Sequence, residues 1–112
     1  MVRSVFAVSA VLLSLSLMGC GDKDADDSGL EGDVTRGETL YASCTACHGA
    51  DGSGGIDIGG TTSPDLHFEI PDQTDAELED IIINGYGTAM PSQYTDPQDV
   101  ADVIAYLRVT FP

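Results

Sequence analysis

Apolar side chains recur at helical spacing in three stretches of the chain. Val34, Gly37, Leu40, Tyr41 and Cys44 share one face of a helix predicted from Val34 to Cys47, with Thr35 as its N-cap and Glu38 as capping partner. Leu78, Ile81 and Ile82 form the apolar face of a second helix, opened by a capping box from Thr74 to Glu77 and closed by Gly85. Val100, Val103, Ile104 and Leu107 make the stripe of a last helix. It starts at Asp96-Pro97 and carries Arg108 in its final turn, where a cation suits the helix dipole. Two segments lack this period. Gly49 to Pro64 is too rich in glycine for regular structure, and Leu66, Phe68 and Ile70 alternate through an extended or loop-like stretch from Pro64 to Pro71. Gly37 costs about 1 kcal/mol relative to alanine inside a helix, which close approach of the last helix would offset.

The first residues follow another pattern. A single positive charge at Arg3 precedes an apolar run that ends at Leu17-Met18-Gly19-Cys20. The run is too short to span a bilayer comfortably and has the layout of a secretory signal. Leu17 to Cys20 resembles the lipobox of bacterial lipoproteins, which implies a signal peptide over 1–19 and lipid on Cys20 as the mature N-terminus. Burial contributes about 0.8 kcal/mol per methylene, and more than one chain is needed for stable anchoring, so a multiply acylated Cys20 would hold the protein on a membrane. Gly21 after the cysteine favours the outer membrane over the inner. Residues 20–33, acidic, glycine-rich and poor in apolar groups, read as a flexible tether. Stretched, it would reach roughly 40 Å; as a coil, about 20 Å. The third unit, 34–112, is small enough that a side-chain core alone supplies only a few kcal/mol, so its fold should depend on whatever it binds.

Charge narrows the partners. The chain carries 4 basic and 19 acidic side chains, net −15. Loss of Arg3 with the leader would leave −16. This argues against nucleic acid or anionic lipid as a direct partner and suits a protein with a cationic face.

The candidate chemistry is concentrated in Cys44-Thr45-Ala46-Cys47-His48. C-x-x-C-H reads as a c-type haem attachment site: two thiols three positions apart can add to the two vinyl groups of one haem, and the adjacent imidazole can coordinate its iron. A redox dithiol would need a strand-helix-strand context, and a zinc site would need a fourth ligand, for which His67 is the other available imidazole. The glycine-rich loop after His48 would permit a tight wrap around a flat ligand; it is not a phosphate cradle, because no strand precedes it. With Met1 and Met18 in the leader, Met90 is the one methionine left, in a loop between Ala89 and Pro91. A thioether there is poorly explained as core packing and suits an axial haem ligand, which would raise the reduction potential. His67 would compete in a bis-histidine site; it reads instead as a surface imidazole. Tyr41, Tyr86, Tyr94 and Tyr106 read as packing residues.

Together these residues resemble a class I c-type cytochrome of the short bacterial kind. The resemblance rests on Gly37 to Tyr41 before Cys44 to Gly49, on Ser63-Pro64-Asp65-Leu66, on Ala89-Met90-Pro91 and on Ala105-Tyr106-Leu107. It implies an all-α fold of about three to four helices around one covalently attached haem c. Cys44 and Cys47 would form the thioethers, His48 and Met90 would be the axial ligands, and the Pro64 carbonyl would accept from the other His48 nitrogen. Gly37 and Tyr41 would meet Tyr106 where the first and last helices cross. The implied function is one-electron carriage between redox protein partners in the periplasm or cell envelope, with no small-molecule substrate. Alternatives are a haem-bearing subunit of a membrane oxidoreductase and a ligand-binding or peroxidatic haem protein. A lysine-ringed docking face, present in many relatives, is absent.

Overall fold

In the computed structural model, which describes residues 30–112, three helical segments pack against α5 (Pro97–Thr110), those over Val34–Tyr41, Leu66–Asp72 and Asp75–Asn84. As expected, the Asp96 side chain accepts from the Gln98 and Asp99 amides, and Val100, Val103, Ile104 and Leu107 are all buried. Alpha-helix α1 (Val34–Tyr41) crosses α5 at Gly37, where a Cβ would lie 2.7 Å from the Asp102 carbonyl carbon and 2.8 Å from Tyr106 Cβ. The Tyr41 ring packs on Tyr106 at 5.2 Å and on Phe111 at 6.0 Å. The anticipated crossing of Gly37 and Tyr41 with Tyr106 is present.

The start of α1 differs from expectation. Asp33, not Thr35, is the N-cap, its side chain accepting from the Arg36 amide. The reason is tertiary: the Asp33 amide donates to Asp102 Oδ1 (2.8 Å), Gln98 Nε2 donates to the Glu31 carbonyl (2.9 Å), and Gly32 lies against the Ala101 backbone. The last residues of the stretch read as tether are thus laid along α5. Asp102, 1% exposed, is also paired with the Arg36 guanidinium, which reaches Asp99 as well. The helix also ends sooner than predicted. The amides of Ser43 and Cys44 turn back to the carbonyls of Leu40 and Tyr41, and a single turn, α2 (Thr45–His48), follows.

The glycine-rich stretch is not devoid of regular structure. β1 (Asp57–Ile58) pairs antiparallel with β2 (Thr61–Thr62), Asp57 opposite Thr62 and Ile58 opposite Thr61. Gly59 and Gly60 turn between them at φ 61° and 90°, and Asp57 Oδ1 accepts from the Gly60 amide; two positive φ values are what a tight two-residue hairpin requires.

The segment after Pro64 is helical, not extended: α3 spans Leu66–Asp72, capped by Asp65. Leu66 and Ile70 are buried one turn apart while Phe68 is 75% exposed, so the apparent alternation was an i, i+4 pair with an exposed residue between. Pro71 sits one residue before the helix ends, so the bond its missing amide withholds is lost from the last turn. In α4 (Asp75–Asn84) both halves of the Thr74–Glu77 capping box form, and Gly85 closes the helix at φ 81°. Arg108 does more than face a dipole. It pairs with Asp75 and donates to the carbonyls of Ile70 and Gln73, tying α5 to the α3–α4 junction. The fold is all-α as anticipated, with five helical segments among the described residues in place of three or four, the short α2 and the unforeseen α3 making the difference. The expected signal peptide 1–19, Cys20 and most of the tether lie outside the described residues.

Candidate functional site

The elements around α5 leave a cavity of about 400 Å³ with a mostly apolar wall, within the size range of cofactor sites. Cys44, Cys47 and His48 line one side, Pro64 and Leu66 continue the wall, and Met90 lies on the loop that closes it. Residues 42 or more positions apart in sequence are therefore brought to one space.

The histidine side is built by α2 and the glycine loop. The Gly54 amide donates to the His48 carbonyl (2.8 Å), and Gly54 sits so close to Ser63 and Pro64 that a Cβ would lie 2.7 Å from the Ser63 carbonyl oxygen. The loop is drawn inward again by the Leu66 amide, which donates to the Gly52 carbonyl. The Tyr41 hydroxyl, pushed up to about 12 by burial, donates to the Gly49 carbonyl at 2.8 Å. Burial also lowers the affinity of His48 for a proton and raises the Cys44 thiol above its ordinary value. Both site cysteines are free thiols. His48 Nδ1 is buried with no partner in hydrogen-bond geometry; the Pro64 carbonyl is near enough to favour the protonated ring but falls short of a bond.

In the Met90 loop, Tyr86 and Met90 exchange backbone bonds, Tyr86 N to Met90 O at 2.8 Å and Met90 N to Tyr86 O at 3.2 Å. Gly85 is required there, since a Cβ would lie 3.0 Å from Pro91 C and closer to the Met90 carbonyl.

His67 is elsewhere. Its ring is half exposed, its Nδ1 is 2.7 Å from Asp65 Oδ1, and it stands edge-on to Phe111. It is not among the residues lining the cavity. Among the described residues no group of three or more His, Cys, Asp or Glu side chains could hold a metal ion, so the zinc reading finds no support, and neither does the dithiol reading, since no strand precedes α2. Two hydroxyl roles escaped the sequence. Tyr41 and Tyr94, read as packing residues, both also make hydrogen bonds to distant backbone carbonyls, and no local signal announces such bonds.

The cavity fits a flat apolar macrocycle in chemistry as well as size: two thiols and an imidazole from one segment, a thioether from a separate loop, and a buried ring nitrogen that awaits an acceptor. Comparison with known proteins agrees. Residues 34–110 match the family model described as Cytochrome c. The chain is 29% identical over 105 residues to a cytochrome c-553-like protein of Synechocystis sp., covering 90% of this chain and 94% of that one. Among solved structures it is similar to cytochrome cL of Hyphomicrobium denitrificans, with TM-score 0.50 and 28% identity over 67% of this chain. The match spans 45% of that longer protein. Cytochrome cL of Methylophaga aminisulfidivorans shares the fold, with TM-score 0.53, 21% identity, and coverage of 93% and 77% of the two chains.

Proposed function

The chain belongs to the cytochrome c family, and from that premise we propose that Cys44 and Cys47 form its thioethers and that His48 and Met90 are its axial ligands. Family membership brings one covalently attached haem c and electron carriage. The observation that carries the site assignment is the convergence of Cys44, Cys47, His48 and Met90 on one apolar cavity.

The group supplies a reversible one-electron iron couple when bound. The rest falls to the chain. Cys44 and Cys47, both free thiols beside or within α2, would hold the group by adding their S–H bonds across its two vinyl groups. His48 would offer one ring nitrogen to the iron, while its buried Nδ1 would hold a proton for the Pro64 carbonyl, a bond that would fix the ring and raise its basicity. Met90, on a loop braced on Tyr86, would supply the second ligand. The buried side chains of Leu66, Ile70, Leu78, Ile82, Val103 and Leu107 keep water from the interior. Were His48 and Met90 both to hold the iron, no substrate would need to enter, and the protein would act as a carrier and not as an enzyme.

We place it in the periplasm or cell envelope, on a lipid attached to Cys20, outer membrane favoured. The layout of the leader supports this, as does the cysteine account, which leaves Cys20 over when Cys44 and Cys47 take haem. Donor and acceptor should approach with a cationic face. Both basic side chains among the described residues are taken up in internal ion pairs, Arg36 with Asp99 and Asp102 and Arg108 with Asp75, which leaves carboxylates as the uncompensated surface charge.

The test is the ferric absorption spectrum of the holoprotein. A methionine-sulfur charge-transfer band in the wild type, absent in Met90→Ala, is expected. Rapid binding of carbon monoxide by the native ferrous protein would overturn the carrier reading. Membrane association that persists in Cys20→Ala would overturn the anchor.

A further inference from the structure

We propose that Tyr94 is a positioning residue that pins the Met90 loop to the thiol-bearing side of the cavity, and so sets how often the methionine leaves the iron. The inference rests on the reading of Met90 as a ligand.

Met90 is tied firmly on one side only. The bonds between Tyr86 and Met90, and that from the Gln93 amide to the Ile82 carbonyl (2.9 Å), all run back to the end of α4. They hold the loop to its own helix and do nothing to keep it over the cavity. Tyr94 supplies that restraint. Its hydroxyl donates to the Leu40 carbonyl at 2.7 Å and lies 2.8 Å from Ser43 Oγ, joining positions 54 and 51 residues apart. Ser43 immediately precedes Cys44, whose amide is bonded to the Tyr41 carbonyl at 2.8 Å. One phenol therefore connects the loop of the sixth ligand to the turn of the first thioether, and the Tyr94 ring itself forms part of the cavity wall. For the methionine to swing out, residues 90–94 must move away from α1, and the Tyr94 bonds must break or stretch.

The geometry also supplies a clean perturbation. Tyr94→Phe keeps the ring and its packing. The Leu40 carbonyl is not orphaned, because Ser43 Oγ lies 3.0 Å from it and can donate in place of the phenol. The fold should survive while the pin is lost.

The experiment uses the full-length ferric holoprotein and imidazole as the entering ligand. At saturating imidazole the binding rate reaches a limit set by departure of the methionine. Tyr94→Phe should raise that limit about tenfold, equal to about 1.4 kcal/mol and of the size of one hydrogen bond. It should also lower the temperature at which the methionine-sulfur band fades. Ser43→Ala, which removes the hydroxyl beside the phenol but keeps the Tyr94 bond to Leu40, should raise the limit by a smaller factor. A limit in both variants within twofold of the wild type overturns the proposal, whatever happens to their melting temperatures, because a merely structural tyrosine would shift stability without opening the sixth position. A wild-type protein that lacks the methionine band removes the ligand assignment and this inference with it, and that failure is read before any variant is made.

Discussion

The crossing of α1 over α5 gives the sharpest test of the packing argument, through Gly37→Ala. Two effects oppose one another. Alanine is better than glycine inside a helix by about 1 kcal/mol, so an exposed glycine at this position would gain from the change. Gly37 is buried, however, and the new methyl would lie 2.7 Å from the Asp102 carbonyl carbon, nearer still to its oxygen, and 2.8 Å from Tyr106 Cβ. Two of these three atoms are backbone and cannot turn aside. The helices must part, which loosens Tyr41 against Tyr106 and strains the Asp102 bond to the Asp33 amide. Overpacking of this kind costs about 3 kcal/mol, so the net loss is about 2 kcal/mol after the propensity gain is subtracted. For a domain of this size that lowers the melting temperature by roughly 8–16 °C. The assay is thermal unfolding of the ferric holoprotein followed by far-ultraviolet circular dichroism, with Glu38→Ala as control. Glu38 is exposed on the same helix, and its replacement should stay within about 0.5 kcal/mol of the wild type. A Gly37→Ala protein as stable as the wild type, or more so, would refute the close-approach argument and leave helix propensity as the deciding term.

Three further outcomes are expected. Gly54→Ala and Gly55→Ala both place alanine at positive φ, 61° and 76°, but only the first meets neighbours, Ser63 and Pro64 beside the His48 wall. Gly55→Ala should cost about 1–2 kcal/mol and Gly54→Ala about 1–3 kcal/mol more, measured by guanidinium unfolding; equal losses would contradict the loop geometry. For Asp102, burial pushes the carboxyl up, and the Asp33 amide, Gln98 and Arg36 together more than reverse this, leaving it below its ordinary value. A depressed folded value means stability that is present above the unfolded pKa of about 3.9 and lost as pH falls through the folded one. Asp102→Asn should thus be less stable at neutral pH and show a shallower decline below about pH 4; an unchanged acid limb would count against the assignment. Cys44→Ser combined with Cys47→Ser should leave any retained haem extractable into acidified organic solvent, whereas haem that stays with the chain would show that another residue holds it.

How much of this was legible depends on how far each signal reaches along the chain. The capping box at Thr74 and Glu77 and the cap at Asp96-Pro97 were read correctly because the chemistry of a cap is complete within three residues. At the start of α1 the local pattern pointed to Thr35, and α5 moved the cap two residues earlier by binding the Asp33 amide through Asp102. In α3, Leu66, Phe68 and Ile70 satisfy a strand period and also contain a helical pair. Only burial of Leu66 and Ile70 against α5 and the cavity, with Phe68 left outside, decides for the helix.

The site divides in the same way. From the sequence alone come the haem motif at Cys44, Cys47 and His48, the candidate thioether at Met90, and the excess of carboxylates, because these are matters of which atoms are present and how closely they are spaced. The tertiary structure decided that Met90 and His48 share one cavity, that His67 lies outside it, that Arg108 clamps three segments, and that the Tyr94 hydroxyl reaches across to Leu40. The relations that join residues there span 33 to 54 positions, and a chain specifies them only through the packing of its helices on α5.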